Sequence, residues 1–183
     1  MGKLILMLIL IISSISSPVN TTPEFQFVDI TTKEAIEILE KEDTAILFFS
    51  GDTCPWCQAA EPILEKAAKD NKIDKIYRCD PRDERDNIPE NKKGTEEYHK
   101  LLEILDSYLD DYTDSNGISY GVKRIYIPDV YTIVNGKVIE HHLGTLDSHS
   151  TPENFSDEQQ KELYDIYNNM FKKFKEVREK DVD

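Results

Sequence analysis

Residues 45–57, Ala45-Ile46-Leu47-Phe48-Phe49-Ser50-Gly51-Asp52-Thr53-Cys54-Pro55-Trp56-Cys57, place two thiols three positions apart just after a five-residue apolar run. An unbroken apolar run of strand length suits a central strand covered on both faces. Ser50 to Thr53 breaks it, and from Cys57 onward Ala60, Leu64, Ala67 and Ala68 recur at helical spacing towards Asp70. Two thiols at a strand-to-helix junction are arranged to make and break a disulfide. At the helix start, unpaired amides and the positive end of the dipole stabilise a thiolate on Cys54, and the thiolate is the attacking species. Cys57, one turn inside, can reach the first sulfur but is poorly placed to meet a substrate, which suits a resolving role. Pro62 falls inside the helix, where it removes an amide donor and predicts a kink.

Upstream of this stretch, Phe25 to Ile30 alternates like an entering strand, and Thr31 with Glu34 makes a capping box for a helix through about Lys41 that buries Ala35, Ile36 and Leu39. Downstream, Ile73 to Cys79 reads as another strand and Arg82 to Lys93 as a charged loop. Thr95 to Tyr112 reads as one amphipathic helix with Tyr98, Leu101, Leu102, Leu105, Tyr108, Leu109 and Tyr112 in a stripe, taken as core packing rather than a ligand groove. Pro128 introduces Asp129 to Val134, and Asn135-Gly136 joins that run to Lys137 to His142. Asn-Gly between two β-rich runs is a strong hairpin signal, since both residues tolerate positive φ. Thr145 to Phe155 is a mostly polar loop. A last helix from Ser156 to Glu179 carries Leu163, Ile166, Tyr167, Met170, Phe171, Phe174 and Val177 along one side.

Lys3, the apolar run Leu4 to Ile12 and the small polar run Ser13 to Ser17 have the layout of a secretory leader. We expect residues 1–16 to be that leader, residues 17–24 a linker and residues 25–183 one domain. The competing reading is an uncleaved N-terminal anchor, the one route by which a membrane enters. Export, to the cell surface, the periplasm or the medium, would bring the thiols into an oxidising environment. Only three cysteines exist, Cys54, Cys57 and Cys79, too few for a disulfide-stapled scaffold, so the close pair reads as reactive. With 36 acidic against 22 basic residues, the formal charge of -14 argues against nucleic-acid binding and attraction to anionic lipid.

The strand before the motif, Cys54-Pro55-Trp56-Cys57, Pro62-Ile63-Leu64, Tyr120-Gly121-Val122 leading to Ile127-Pro128, Asn135-Gly136-Lys137-Val138 and Gly144 follow one another in an order and spacing that resembles the thioredoxin-like superfamily. The likeness runs from about Thr31 to Gly144, with the final helix added by position. It implies an α/β thioredoxin fold: a central mixed sheet flanked by helices, here with an enlarged helical crossover over residues 80–123 and a long C-terminal helix. It also implies a cis bond between Ile127 and Pro128, facing the Cys54 sulfur and leaving the Ile127 backbone free to pair with a substrate chain. Cys54 would then be the nucleophile and Cys57 the resolving thiol. Trp56, Ile127 and Pro128 would meet substrate, and Pro55 and Pro62 would shape the site.

The activity implied is thiol-disulfide exchange with protein substrates and a redox partner, by a monomer with no cofactor beyond the Cys54–Cys57 disulfide and no metal. Two departures bear on direction. Phe48 stands where many thioredoxins carry a buried carboxylate six residues before the first cysteine, and the inner dipeptide is Pro-Trp rather than Gly-Pro. The redox direction is therefore left unassigned.

Zinc held by Cys54, Cys57, His141 and His142 is the rival for this motif, disfavoured because adjacent histidines on a strand point to opposite faces. Cys79 reads as a small buried hydrophobe rather than a third redox thiol. Trp56 could stack on substrate or shield the disulfide. Asn20 and Asn154 fit the glycosylation pattern, with an unmodified loop preferred. A non-catalytic binding or chaperone-like module using the Ile127-Pro128 groove stays open as the alternative, because fold does not settle function.

Overall fold

A computed structural model describes residues 24–86, 94–114, 116–152 and 155–181. The leader, most of the linker, residues 87–93 of the charged loop and both glycosylation sequons' asparagines lie outside the described residues. Five strands form the main sheet: β1 (Gln26–Asp29), β2 (Ala45–Phe49), β3 (Lys75–Cys79), β6 (Asp129–Val134) and β7 (Lys137–Leu143), in the order β1-β3-β2-β6-β7. β3 runs parallel to both β1 and β2, while β6 is antiparallel to β2 and β7 to β6. Helix α1 (Thr32–Glu40) connects β1 to β2, α2 (Pro55–Asp70) connects β2 to β3, and α5 (Asp157–Lys180) closes the chain. This order and polarity, with the cysteine pair where β2 gives way to α2, is the thioredoxin fold that the sequence points to.

Period-two alternation divides the core between the sheet's faces. Ile46, Phe48, Val130 and Val134 meet α2 and α5 through Ala60, Leu64, Leu163, Tyr167 and Phe171. Leu47, Phe49, Tyr131 and Ile133 meet α1 and α4 (Glu96–Leu105) through Ala35, Ile36, Leu39, Leu101 and Leu105. β2 is buried at all five positions, as its apolar run demands. The Thr31–Glu34 capping box and the Ser156 cap both form. Asn135 (φ 49°) and Gly136 (φ 72°) make the tight turn between β6 and β7.

The crossover departs from expectation in three places. Arg82–Asp86 is a short helix, α3, rather than loop; it opens with Asp83 and Glu84, acids that favour a helix N-terminus. The helix expected to reach Tyr112 stops at Leu105 and passes through a single 3₁₀ turn at Asp106–Tyr108. Asp106, Asp110 and Asp111 explain the stop, because acids oppose the negative C-terminal end of a helix and Ser107 is a poor helix former. Tyr112 instead lies in β4 (Asp111–Thr113), which pairs with β5 (Ser119–Lys123) in a separate two-stranded ribbon.

Tyr98 pins this crossover to the main sheet. It is buried, and its hydroxyl accepts a hydrogen bond from the buried Ile125 amide at 3.0 Å, two residues before Ile127. Tyr98→Phe leaves that amide without its acceptor and is expected to cost about 1–3 kcal/mol, read as a lowered urea midpoint at constant m-value.

Candidate active site

Cys54 is the N-cap of α2 and Pro55 its first residue, where a missing amide costs nothing. The Cys54 sulfur accepts a hydrogen bond from the Cys57 amide at 3.2 Å. The two sulfurs are at disulfide-bonding distance, with Cα atoms 5.3 Å apart. α2 therefore starts two residues before the apolar periodicity sets in at Cys57, with Cys54 at the helix start as expected, and it continues through Pro62, which lies on its exposed side. The Cys54 amide donates to the Gly51 carbonyl, closing the turn that lifts the chain from β2 into the helix. A Cβ at Gly51 would run into the Arg82 guanidinium and the Asp80 carboxylate, so any other residue there would push this ion pair aside. Arg82, held by Asp80, also donates to Thr53 Oγ1 at 2.9 Å, so the start of the crossover lies beside the motif.

Across from the cysteines, the Ile127–Pro128 peptide is cis, and the Ile127 carbonyl oxygen lies 4.0 Å from the Cys54 sulfur. Pro128 is buried and its carbonyl accepts from the Gly144 amide at 2.7 Å. Four sequence-derived site residues, Cys54, Cys57, Ile127 and Pro128, are thus brought to one place. Cys57 is 1% exposed and Cys54 7%, so Cys54 is the less deeply buried of the two.

Trp56 is not fully exposed as a residue between two cysteines would suggest. It is partly buried and its indole meets His149 edge-on, ring centroids 5.1 Å apart. His149 had no signal in the sequence, since it sits in a polar loop with no periodicity. Cys79 is buried beneath the α1 start, 3.8 Å from Thr32 Oγ1, and burial pushes its thiol up to about 12, the behaviour of the inert small hydrophobe expected of it.

Phe48 is fully buried on the face that carries α2 and no carboxylate stands there. The buried acid of the sheet is Asp129 instead, immediately after Pro128 and on the opposite face, opposite Phe49 in register. Burial lifts its carboxyl to about 8, and Asp110 acts in the same direction. His141 Nε2 lies 3.9 Å from Asp129 Oδ1, and neither atom has a hydrogen-bond partner among the described residues. Burial holds the His141 and His142 imidazoles below their ordinary range. His142 faces the other way, against Tyr167 of α5, so the two histidines do point to opposite faces.

No protein-family profile and no curated protein matches the chain. Two solved structures of thioredoxin from Plasmodium falciparum, one of them the oxidised form in solution, are similar at 15% identity each. Each aligns over 78% of this chain and 99% of its own, with TM-scores of 0.38 and 0.39.

Proposed function

We propose that this protein is an exported thiol-disulfide oxidoreductase that exchanges disulfides with protein substrates through Cys54 and Cys57. The observation that carries the reading is the placement of the Cys54 sulfur at a helix N-terminus, 4.0 Å from the carbonyl of a cis Ile127–Pro128 peptide. The helix end favours the thiolate. The Ile127 backbone offers hydrogen bonds to an extended substrate chain. Export is supported by the leader-like sequence of residues 1–16, and among the described residues no helix is long and apolar enough to cross a membrane.

In the oxidising direction, a substrate thiolate attacks Cys54 Sγ, the Cys54–Cys57 bond breaks, and Cys57 leaves as a thiolate that takes up a proton. A second substrate thiolate then attacks the substrate sulfur of the mixed disulfide. Cys54 departs as a thiolate, the substrate is oxidised by two electrons and the protein is reduced by two. The reducing direction is the same sequence reversed, and a partner dithiol or disulfide restores the starting state.

Trp56 is the sole tryptophan and lies between the two cysteines, so its emission reports their redox state. Equilibration in glutathione and dithiothreitol buffers is expected to give one two-electron transition, about 30 mV per decade. A midpoint near about -270 mV assigns a reductase and one near about -120 mV a disulfide donor. A protein that shows no reversible transition across this range is not an oxidoreductase.

A further inference from the structure

Resting on the redox reading, we propose that His149 is a positioning residue of this site: it fixes the Trp56 indole as a preset wall for the peptide chain that reaches Cys54. Trp56 is the second residue of α2, between the two cysteines, and Leu146, Phe155 and Trp56 all pack on the same core as Cys54 and Cys57. The connection from β7 to α5 thus belongs beside the motif, although some ninety residues of sequence separate them.

His149 is held from several directions before it meets Trp56. Its imidazole stacks on Phe155, ring centroids 3.7 Å apart and planes 20° from parallel. Its Nδ1 hydrogen-bonds Thr145 Oγ1 at 3.0 Å, and its amide donates to the Leu146 carbonyl at 2.9 Å. Thr145 is tied in turn, its carbonyl 2.8 Å from His142 Nε2, whose ring stands edge-on to buried Tyr167. The residue before His149 is anchored as well, because Gln159 of the α5 capping box donates to the Ser148 carbonyl at 2.8 Å. A 5%-exposed imidazole so constrained presents its ring to the indole in a fixed pose, planes 87° apart, the edge-to-face geometry aromatic rings prefer.

This matters for binding because a side chain ordered before the substrate arrives loses no further freedom when it binds. His149 itself touches no reacting atom and acts through Trp56. Its removal therefore falls on substrate binding rather than on sulfur exchange.

The test compares wild type with His149→Ala and His149→Phe. Phe retains an aromatic edge against Trp56 and the stack on Phe155 while losing the Thr145 hydrogen bond, so it separates ring positioning from general damage to the loop. His149→Ala is expected to shift Trp56 emission to the red, raise its quenching by acrylamide, and raise KM for a cystine-containing peptide between about twofold and tenfold, the range an aromatic pair commands. The change falls in KM rather than kcat, as loss of uniform binding should. His149→Phe is expected to restore emission, quenching and KM. A normal redox transition with Trp56 emission or KM unaltered in His149→Ala overturns this assignment alone. Absence of the transition in the wild type overturns it together with the redox reading.

Discussion

Cys57→Ser is expected to accumulate a disulfide-linked partner on Cys54, whereas Cys54→Ser accumulates none. Cys54 is the less deeply buried residue of the pair, at 7% exposure against 1%, and its sulfur faces the Ile127 carbonyl. With Cys57 replaced, the first exchange still forms the mixed disulfide but nothing inside the protein attacks it. With Cys54 replaced, the remaining thiol lies a turn inside α2, among Ala60, Leu64 and Phe48 in the core. Turnover should fall on the order of 10³-fold or more in either variant, the scale on which loss of a covalent nucleophile acts. Adducts separated on non-reducing gels and mapped by mass spectrometry decide the matter. Cys79 is an internal control, since a buried thiol held at about 12 stays protonated and should carry no adduct. Adducts on Cys57 in the Cys54→Ser variant would reverse the roles.

The part of this site that is legible in the sequence is the part governed by local chemistry. A short apolar run, a Gly-Asp break and a cysteine cap specify the β2–α2 junction within fifteen residues, and Asn135-Gly136 specifies its hairpin. What escaped was set by contacts distant in sequence. His149 reaches Trp56 only because α5 docks on the sheet and draws its preceding loop towards α2. The β4–β5 ribbon and the early end of α4 were hidden because Tyr108, Leu109 and Tyr112 continue a helical stripe that acids at 106, 110 and 111 interrupt. Asp129 was absorbed into a strand by its neighbours, and only burial shows how unusual a carboxyl is there.

That carboxyl carries the second large effect. Asp129 is 1% exposed and lifted to about 8 from an ordinary 3.8, so the folded protein holds a proton at neutral pH that the unfolded chain has released. A raised acid favours the folded state fully below its unfolded pKa, and that advantage is lost as pH climbs to the folded value. Stability should therefore fall with rising pH between about 4 and 8, at up to about 1.4 kcal/mol per unit, and level off above 8. His141 and His142 act oppositely: held low by burial, they favour unfolding as pH drops below about 6.5, so the slope due to Asp129 stands clear between about 6.5 and 8. Asp129→Asn supplies a neutral group of nearly the same shape. It should match the wild type at about pH 2–3, below the ordinary 3.8 of the unfolded carboxyl, where the group is protonated in both states. At pH 7 it should exceed the wild type by on the order of 4 kcal/mol, the proton-binding cost accumulated over that interval. Urea unfolding of both proteins across this range measures the difference directly. A difference that does not change with pH would mean that Asp129 ionises inside the folded protein as readily as in water, and that the Asp129–His141 pair is charged rather than neutral.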